Sequence, residues 1–390
     1  MTSRLSPSRR SFLQVTAAAA AFQIVTEPML AAAARRPYAK DGVMIDSNEN
    51  PLGPGQAARE AISAIIPQGG RYLLNLTEDL IETFAQQEGL NPDYVHVFAG
   101  SSPALRFTVV AFTSPHRSYV TADPGYEGGM MAAGASQARV VKVPLNKAYA
   151  HDVKGMIAAA PDAGLFYICN PNNPTGTLTP HADIEFLVEN KPKGSIVMVD
   201  EAYLHFCDAP STIDLVKAGK DVVVLRTFSK TYGMAGLRCG FAVARPDLLD
   251  KIMELAGWNF MPTPGLVAAL ASLKDSSLVP ERRRINAGVR QETFEWLERN
   301  GYSYIPSESN CFLLDVKRPG KPVIEAMAAQ NVFIGRIWPI MPTWVRITVG
   351  THDEMQQFQS ALQKVMSGAK AFSIRPATAG RDRQRAGLPS

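Results

Sequence analysis

From residue 37 to about residue 245 the chain alternates short apolar runs with longer stretches in which apolar positions recur at helical spacing. That alternation predicts mostly parallel strands joined by crossover helices, an α/β arrangement. The runs at 95–98, 118–121, 139–143, 165–169, 196–199, 222–225 and 240–244 are seven expected strands of one large sheet sandwiched by helices. Near Arg245-Pro246-Asp247 the pattern changes: helical spacing dominates 266–273 and 282–299. Strand-like runs at 311–315 and 345–349 then mix with helical patterns at 322–330 and 353–365, which predicts a second, smaller α+β domain. The expected division is a leader at 1–34, an arm at 35–70 that joins the small domain, a large domain at 71–260, a small one at 261–366 and a tail at 367–390. No internal repeat is visible.

The leader has a pattern of its own. Ser8-Arg9-Arg10-Ser11-Phe12-Leu13 precedes an apolar stretch at 15–25, and Ala31-Ala32-Ala33-Ala34 follows before Arg35-Arg36. An arginine pair, a moderate apolar region and a small-residue cleavage site are the three parts of an export signal, and the pair marks the twin-arginine route. The expectation is a periplasmic or secreted protein carried by the twin-arginine machinery. The stretch is shorter than the roughly 20 residues a membrane helix needs, so no stable membrane span is expected.

Composition changes this picture in two places. With 390 residues and 46% hydrophobic content the chain can bury a large core, and the expected units number two. The formal charge of +4 is unevenly placed. Residues 1–34 carry three Arg and one Glu and residues 367–390 carry five basic residues and one Asp, which leaves 35–366 at −2. The last stretch, basic and poor in apolar residues, reads as a disordered tail. No Lys/Arg cluster is interleaved with aromatics, so nucleic acid is not an expected partner. Cys169, Cys207, Cys239 and Cys311 are scattered without a C-x-x-C pair, which indicates neither a zinc site nor a disulfide framework.

The chemistry concentrates at the ends of the expected strands. In Arg226-Thr227-Phe228-Ser229-Lys230-Thr231-Tyr232-Gly233-Met234-Ala235-Gly236-Leu237-Arg238, Lys230 follows a buried strand, where crowding lowers an amine's pKa and frees it to form an imine. Thr227, Ser229 and Arg238 would ring an anion beside it. Taken alone, a lysine between hydroxyls is more often a solvated loop; its neighbours decide. The strand before Asp200-Glu201-Ala202-Tyr203 delivers Asp200 at its carboxyl end, where sites gather in open α/β sheets. Asp200 could pair with a protonated ring nitrogen, and Tyr203 could donate to a ring oxygen. Asn170-Pro171-Asn172-Asn173-Pro174-Thr175-Gly176 presents Asn173 at the same edge. Ser101 and Ser102, ahead of Pro103, would form an anion site at a helix N-terminus. A phosphate, a ring nitrogen, a ring oxygen and an aldehyde for lysine together describe pyridoxal 5′-phosphate.

With those segments in view the chain resembles a fold-type I, class I/II aminotransferase, and is most similar to the histidinol-phosphate aminotransferase subgroup. Further matches are Ser47-Asn48-Glu49-Asn50-Pro51-Leu52-Gly53-Pro54, Ala235-Gly236-Leu237-Arg238-Cys239-Gly240-Phe241, Ser307-Glu308-Ser309-Asn310 and Val345-Arg346-Ile347-Thr348-Val349-Gly350-Thr351. The likeness runs from about residue 46 to 365. It implies that Lys230 joins the cofactor as an imine and moves the substrate proton, and that Asp200 keeps the pyridine nitrogen protonated. It implies that Tyr203 and Asn173 bind the ring oxygen and that Tyr126 stacks on the ring. Ser101, Ser102, Thr227, Ser229 and Arg238 would cradle the phosphate, and Tyr72 would reach the phosphate of a neighbouring subunit in a homodimer with shared sites. Arg346 would bind the substrate carboxylate; Arg336, and with it Asn50, are carried over as substrate-binding positions.

Two departures qualify the subgroup. Residues 337–344 are strongly apolar where the subgroup carries a longer polar loop, which points away from a phosphorylated substrate and towards an apolar or aromatic side chain. Ser102-Pro103 replaces residues that are usually acidic. The reading is a ping-pong aminotransferase moving an amino group from an amino acid to a 2-oxo acid. Its rivals are histidinol-phosphate aminotransferase proper, a lyase or decarboxylase on the same scaffold, and a non-enzymatic binding protein.

Overall fold

A computed structural model describes residues 41–372, so the expectations for the leader at 1–34 and for the tail beyond residue 372 lie outside the described residues. Residues 43–372 belong to one compact unit. Its first strand, β1 (Val43–Ile45), is followed by β2 (Val95–Phe98), β3 (Ser118–Asp123), β4 (Val140–Pro144), β5 (Ala163–Cys169), β6 (Ile196–Asp200), β7 (Val222–Thr227) and β8 (Gly240–Val243). β2 to β8 form a single sheet in the order β2-β8-β7-β6-β5-β3-β4. Neighbours within β4, β3, β5, β6 and β7 run parallel, whereas β8 is antiparallel to both β7 and β2.

The central strands are buried along their whole length, because helices cover both faces. Side-chain alternation divides them between two cores. Phe166, Ile168, Val197, Val199, Val222 and Val224 fill one face of the sheet. Leu165, Tyr167, Met198, Val223 and Leu225 fill the other. Such two-sided burial is why these strands read as unbroken apolar runs.

Four shorter strands complete the fold: β9 (Ser303–Tyr304), β10 (Cys311–Asp315), β11 (Val332–Ile334) and β12 (Trp344–Thr348). β12-β10-β9 is an antiparallel sheet, and β11 pairs in parallel with β1. Val43, Ile45, Phe312, Leu314, Val345, Ile347 and Phe358 share a third core. The cores do not divide at the expected boundaries. β1 joins the small core, but Ala58 of the helix Gln56–Ile65 and Leu266, Ala268 and Ala269 of the helix Thr263–Lys274 pack into the core of the large sheet. The large body therefore takes in part of the expected arm and extends beyond residue 260. The last helix, His352–Phe372, continues past residue 367, the expected start of the tail. Among the described residues no helix is long and apolar enough to cross a membrane.

Candidate active site

Parallel strands bring their carboxyl ends to one edge, and that edge collects the chemistry. Asp200 is the last residue of β6 and Thr227 the last of β7, while Asn173 follows the end of β5. The antiparallel β8 begins at this edge, which is why Arg238, two residues before its start, arrives beside them. Arg238 has a left-handed backbone, φ 55°, an uncommon conformation for a residue with a side chain.

Lys230 donates from Nζ to the carbonyl oxygen of Asn48 at 2.9 Å and lies 5.5 Å from the centre of the Tyr203 ring. Burial, and then the Arg346 guanidinium nearby, pull its pKa down to about 8. Asp200 is 5% exposed; it accepts from Tyr167 Oη at 2.9 Å and from the Ala202 amide at 3.1 Å. Burial raises its pKa to about 6 against the opposing pull of those two hydrogen bonds and of Lys230. Tyr203 Oη accepts from Asn48 Nδ2 at 3.0 Å.

The expected anion site is assembled around Arg238. Its Nη1 reaches Ser229 Oγ at 3.4 Å and the Ala235 carbonyl at 2.7 Å, and Nη2 reaches the Ala99 carbonyl at 3.2 Å. Thr227 Oγ1 donates to Ser229 Oγ at 3.0 Å. Ser101 and Ser102 open the helix Ser101–Phe112, whose first amides have no intrahelical acceptor and favour an anion. Gly100 caps it at φ +86°, and a Cβ there would collide with the Arg238 guanidinium, so only glycine leaves the cradle open. Tyr126 packs its ring against Gly128, where a Cβ would collide with it.

At the substrate end, Arg346 is 5% exposed and donates to Asn173 Oδ1 at 3.0 Å and to the Asp46 carbonyl at 2.5 Å. Its Nε–H is buried with no hydrogen-bond partner among the described residues, a donor in want of an acceptor. Trp338, 2% exposed, has the Arg336 guanidinium 4.9 Å and the Arg346 guanidinium 5.9 Å from its ring centre. Arg336 is itself held by Glu127 at 2.6 Å.

Two expected site residues stand apart. Asn50 uses its side chain on main chain, donating to the Thr231 carbonyl at 2.9 Å and accepting from the Leu52 amide at 3.1 Å. It ties its own loop to the segment after Lys230. Tyr72 is 72% exposed and stacks on Phe260 at 4.8 Å. Four contributors went unassigned in the sequence: Asn48, Tyr167, Glu127 and Trp338. Asn48, buried at φ 54°, bonds Tyr203, Cys311 and Thr348; its place in the Ser47-to-Pro54 match was the available signal.

These residues fit pyridoxal 5′-phosphate. The open cradle at Gly100, an amine held by carbonyl oxygens, a buried carboxylate and an unpaired guanidinium N–H supply the donor set that its groups require. The sequence profile of the family described as "Aminotransferase class I and II" matches residues 40–362. A histidinol-phosphate aminotransferase of Moorella thermoacetica is 33% identical over 344 residues, 84% of this chain and 86% of that protein. An aromatic amino acid aminotransferase of Cutibacterium acnes is 32% identical over 337 residues, 85% of this chain and 94% of that protein. The structure of histidinol-phosphate aminotransferase from Sinorhizobium meliloti, in complex with pyridoxal-5′-phosphate, superposes with a TM-score of 0.76 at 25% identity, covering 83% of this chain and 91% of that one. On its sequence, its fold and the contents of its sheet edge, the chain belongs to the class I and II aminotransferase family.

Proposed function

We propose that this enzyme is an exported, homodimeric aminotransferase whose amino donor carries an apolar or aromatic side chain. Transamination with pyridoxal 5′-phosphate is the activity of its family; the donor, the assembly and the export are the proposal. The observation that carries the donor is Trp338, an indole sealed between Arg336 and Arg346 and fixed by its Nε1–H on the Gly125 carbonyl at 2.9 Å. With Ile305 and Leu313 the indole forms a small apolar core behind the two arginines, and that apolar backing supports a donor with an apolar or aromatic side chain.

When bound, the cofactor supplies an aldehyde for amine chemistry and a ring that takes up electrons from the substrate Cα. The protein does the rest. Lys230, with its pKa near 8, has a substantial neutral fraction close to neutral pH, so its Nζ can act as nucleophile and then hold and return the Cα proton. The ionised Asp200 would accept a hydrogen bond from the protonated ring nitrogen, while Tyr203 and Asn173 would bind the ring oxygen. Ser101, Ser102, Thr227, Ser229 and Arg238 would hold the phosphate, Tyr126 would cover the ring, and Arg346 would take the substrate carboxylate through two N–H groups.

Tyr72, Phe260 and Trp258, the last 88% exposed, form an uncovered aromatic group that supports burial against a second subunit. Export rests on Ser8-Arg9-Arg10-Ser11-Phe12-Leu13; with Arg9 and Arg10 both changed to Lys, the protein should stay in the cytoplasm. A second donor, histidinol phosphate, is favoured by the position of Arg336 and by the names of two relatives. A panel of amino donors assayed for keto-acid product separates them: phenylalanine or tyrosine should exceed histidinol phosphate in kcat/KM, and the reverse order would favour the second donor.

A further inference from the structure

Glu127 occupies a position that the function above leaves without a role. It follows Tyr126 directly and stands at the N-cap of the helix Gly128–Ala135, yet makes no side-chain cap bond to it. Its carboxylate turns instead to Arg336, 209 residues away, with Oε2 2.6 Å from Nη2. The pair is partly screened from water, with side-chain exposures of 22% and 35%. Trp338 backs the same guanidinium, and Gly125, two residues before Glu127, accepts the indole N–H. One short loop, 125–127, thus anchors both the indole and the arginine of the substrate end.

We infer that Glu127 is a specificity-determining residue: by engaging Arg336 beside Trp338 it neutralises that cation and closes it to anionic side chains. An anionic group entering here would have to displace the carboxylate or lie beside it, and like-charge juxtaposition rejects the wrong partner. A neutral side chain meets neither obstacle. The inference rests on the donor class proposed above and extends it by naming the group that excludes the alternative.

The test uses the holoenzyme and two unreactive carboxylates, 3-phenylpropionate and 3-phosphonopropionate, with dissociation constants read from the cofactor's absorbance. In Glu127→Gln the phosphonate should bind roughly tenfold more tightly, with phenylpropionate changing less than about twofold. Combining it with Arg336→Gln should abolish that gain, since the gain acts through the arginine. Glu127→Asp, a milder change should Glu127→Gln fold poorly, should give a smaller gain in the same direction. Unchanged phosphonate binding in both Glu127 variants overturns the inference. Preference of the unaltered enzyme for phosphonate contradicts the proposed donor class, and so fails separately from the response to Glu127.

Discussion

The two ends of the site are built differently. At the cofactor end, Asp200, Thr227 and Ser229 sit on or just beyond buried strands, and residues close in sequence contribute to their support, Ala202 bonding Asp200 and Thr227 bonding Ser229, alongside distant partners such as Tyr167 on Asp200 and Asn48 on Lys230. At the substrate end the supports are remote. Trp338 bonds Gly125 across 213 positions, Arg336 bonds Glu127 across 209 and Arg346 bonds Asn173 across 173. A rigid sheet edge can present one cofactor unchanged while loops that meet only in the folded chain alter what lies opposite it. Changes at the first end should therefore affect all donors alike, and changes at the second should re-rank them.

The largest effect is expected from Lys230→Ala, which removes the nucleophile and the proton carrier together. Turnover should fall by about 10⁴-fold or more for every donor, measured in single-turnover absorbance. Asp200→Asn should lower kcat by roughly 10²- to 10³-fold, again without re-ranking donors, because it removes a charge opposite the ring nitrogen. Arg346→Ala should raise KM for carboxylate donors by about 10²-fold while leaving cofactor affinity within a few fold; equal losses in both would erase the distinction between the two ends.

Tyr167→Phe should act more mildly and only at the cofactor end. The phenol stabilises ionised Asp200, so its loss should raise the carboxyl pKa above about 6 and shift the acid limb of cofactor binding upward, with affinity at pH 7 falling by about tenfold. The unaltered apoenzyme has a second limb of the same sign: Lys230 is neutral above its depressed pKa, so the rate of cofactor capture should rise with pH through about 8. Stopped-flow reconstitution across pH checks both limbs.

The same contrast explains what was legible beforehand. The seven-stranded sheet was readable because its strands are apolar on both faces, and β5, β6 and β7 appear as continuous runs. Reversal of β8 was not readable, since an apolar run carries no direction. β1, β9 and β11, of two or three residues each, are too short to show alternation. Lys230, Asp200 and Asn173 stood out by their places after strands, and Arg238 by its place eight residues after Lys230. Glu127 read as the start of a helix and Trp338 as part of an apolar segment, because only tertiary contact joins them to Arg336. Tyr167 was hidden as one apolar position of β5, although its hydroxyl reaches the most important carboxylate of the site.

The most direct measurement is reduction of the cofactor-loaded enzyme with borohydride, followed by peptide mass spectrometry to locate the modified lysine. The label should lie on Lys230 alone and disappear in Lys230→Ala. A reducible adduct at another lysine, retained when Lys230 is replaced, would contradict the placement of the active site at this sheet edge.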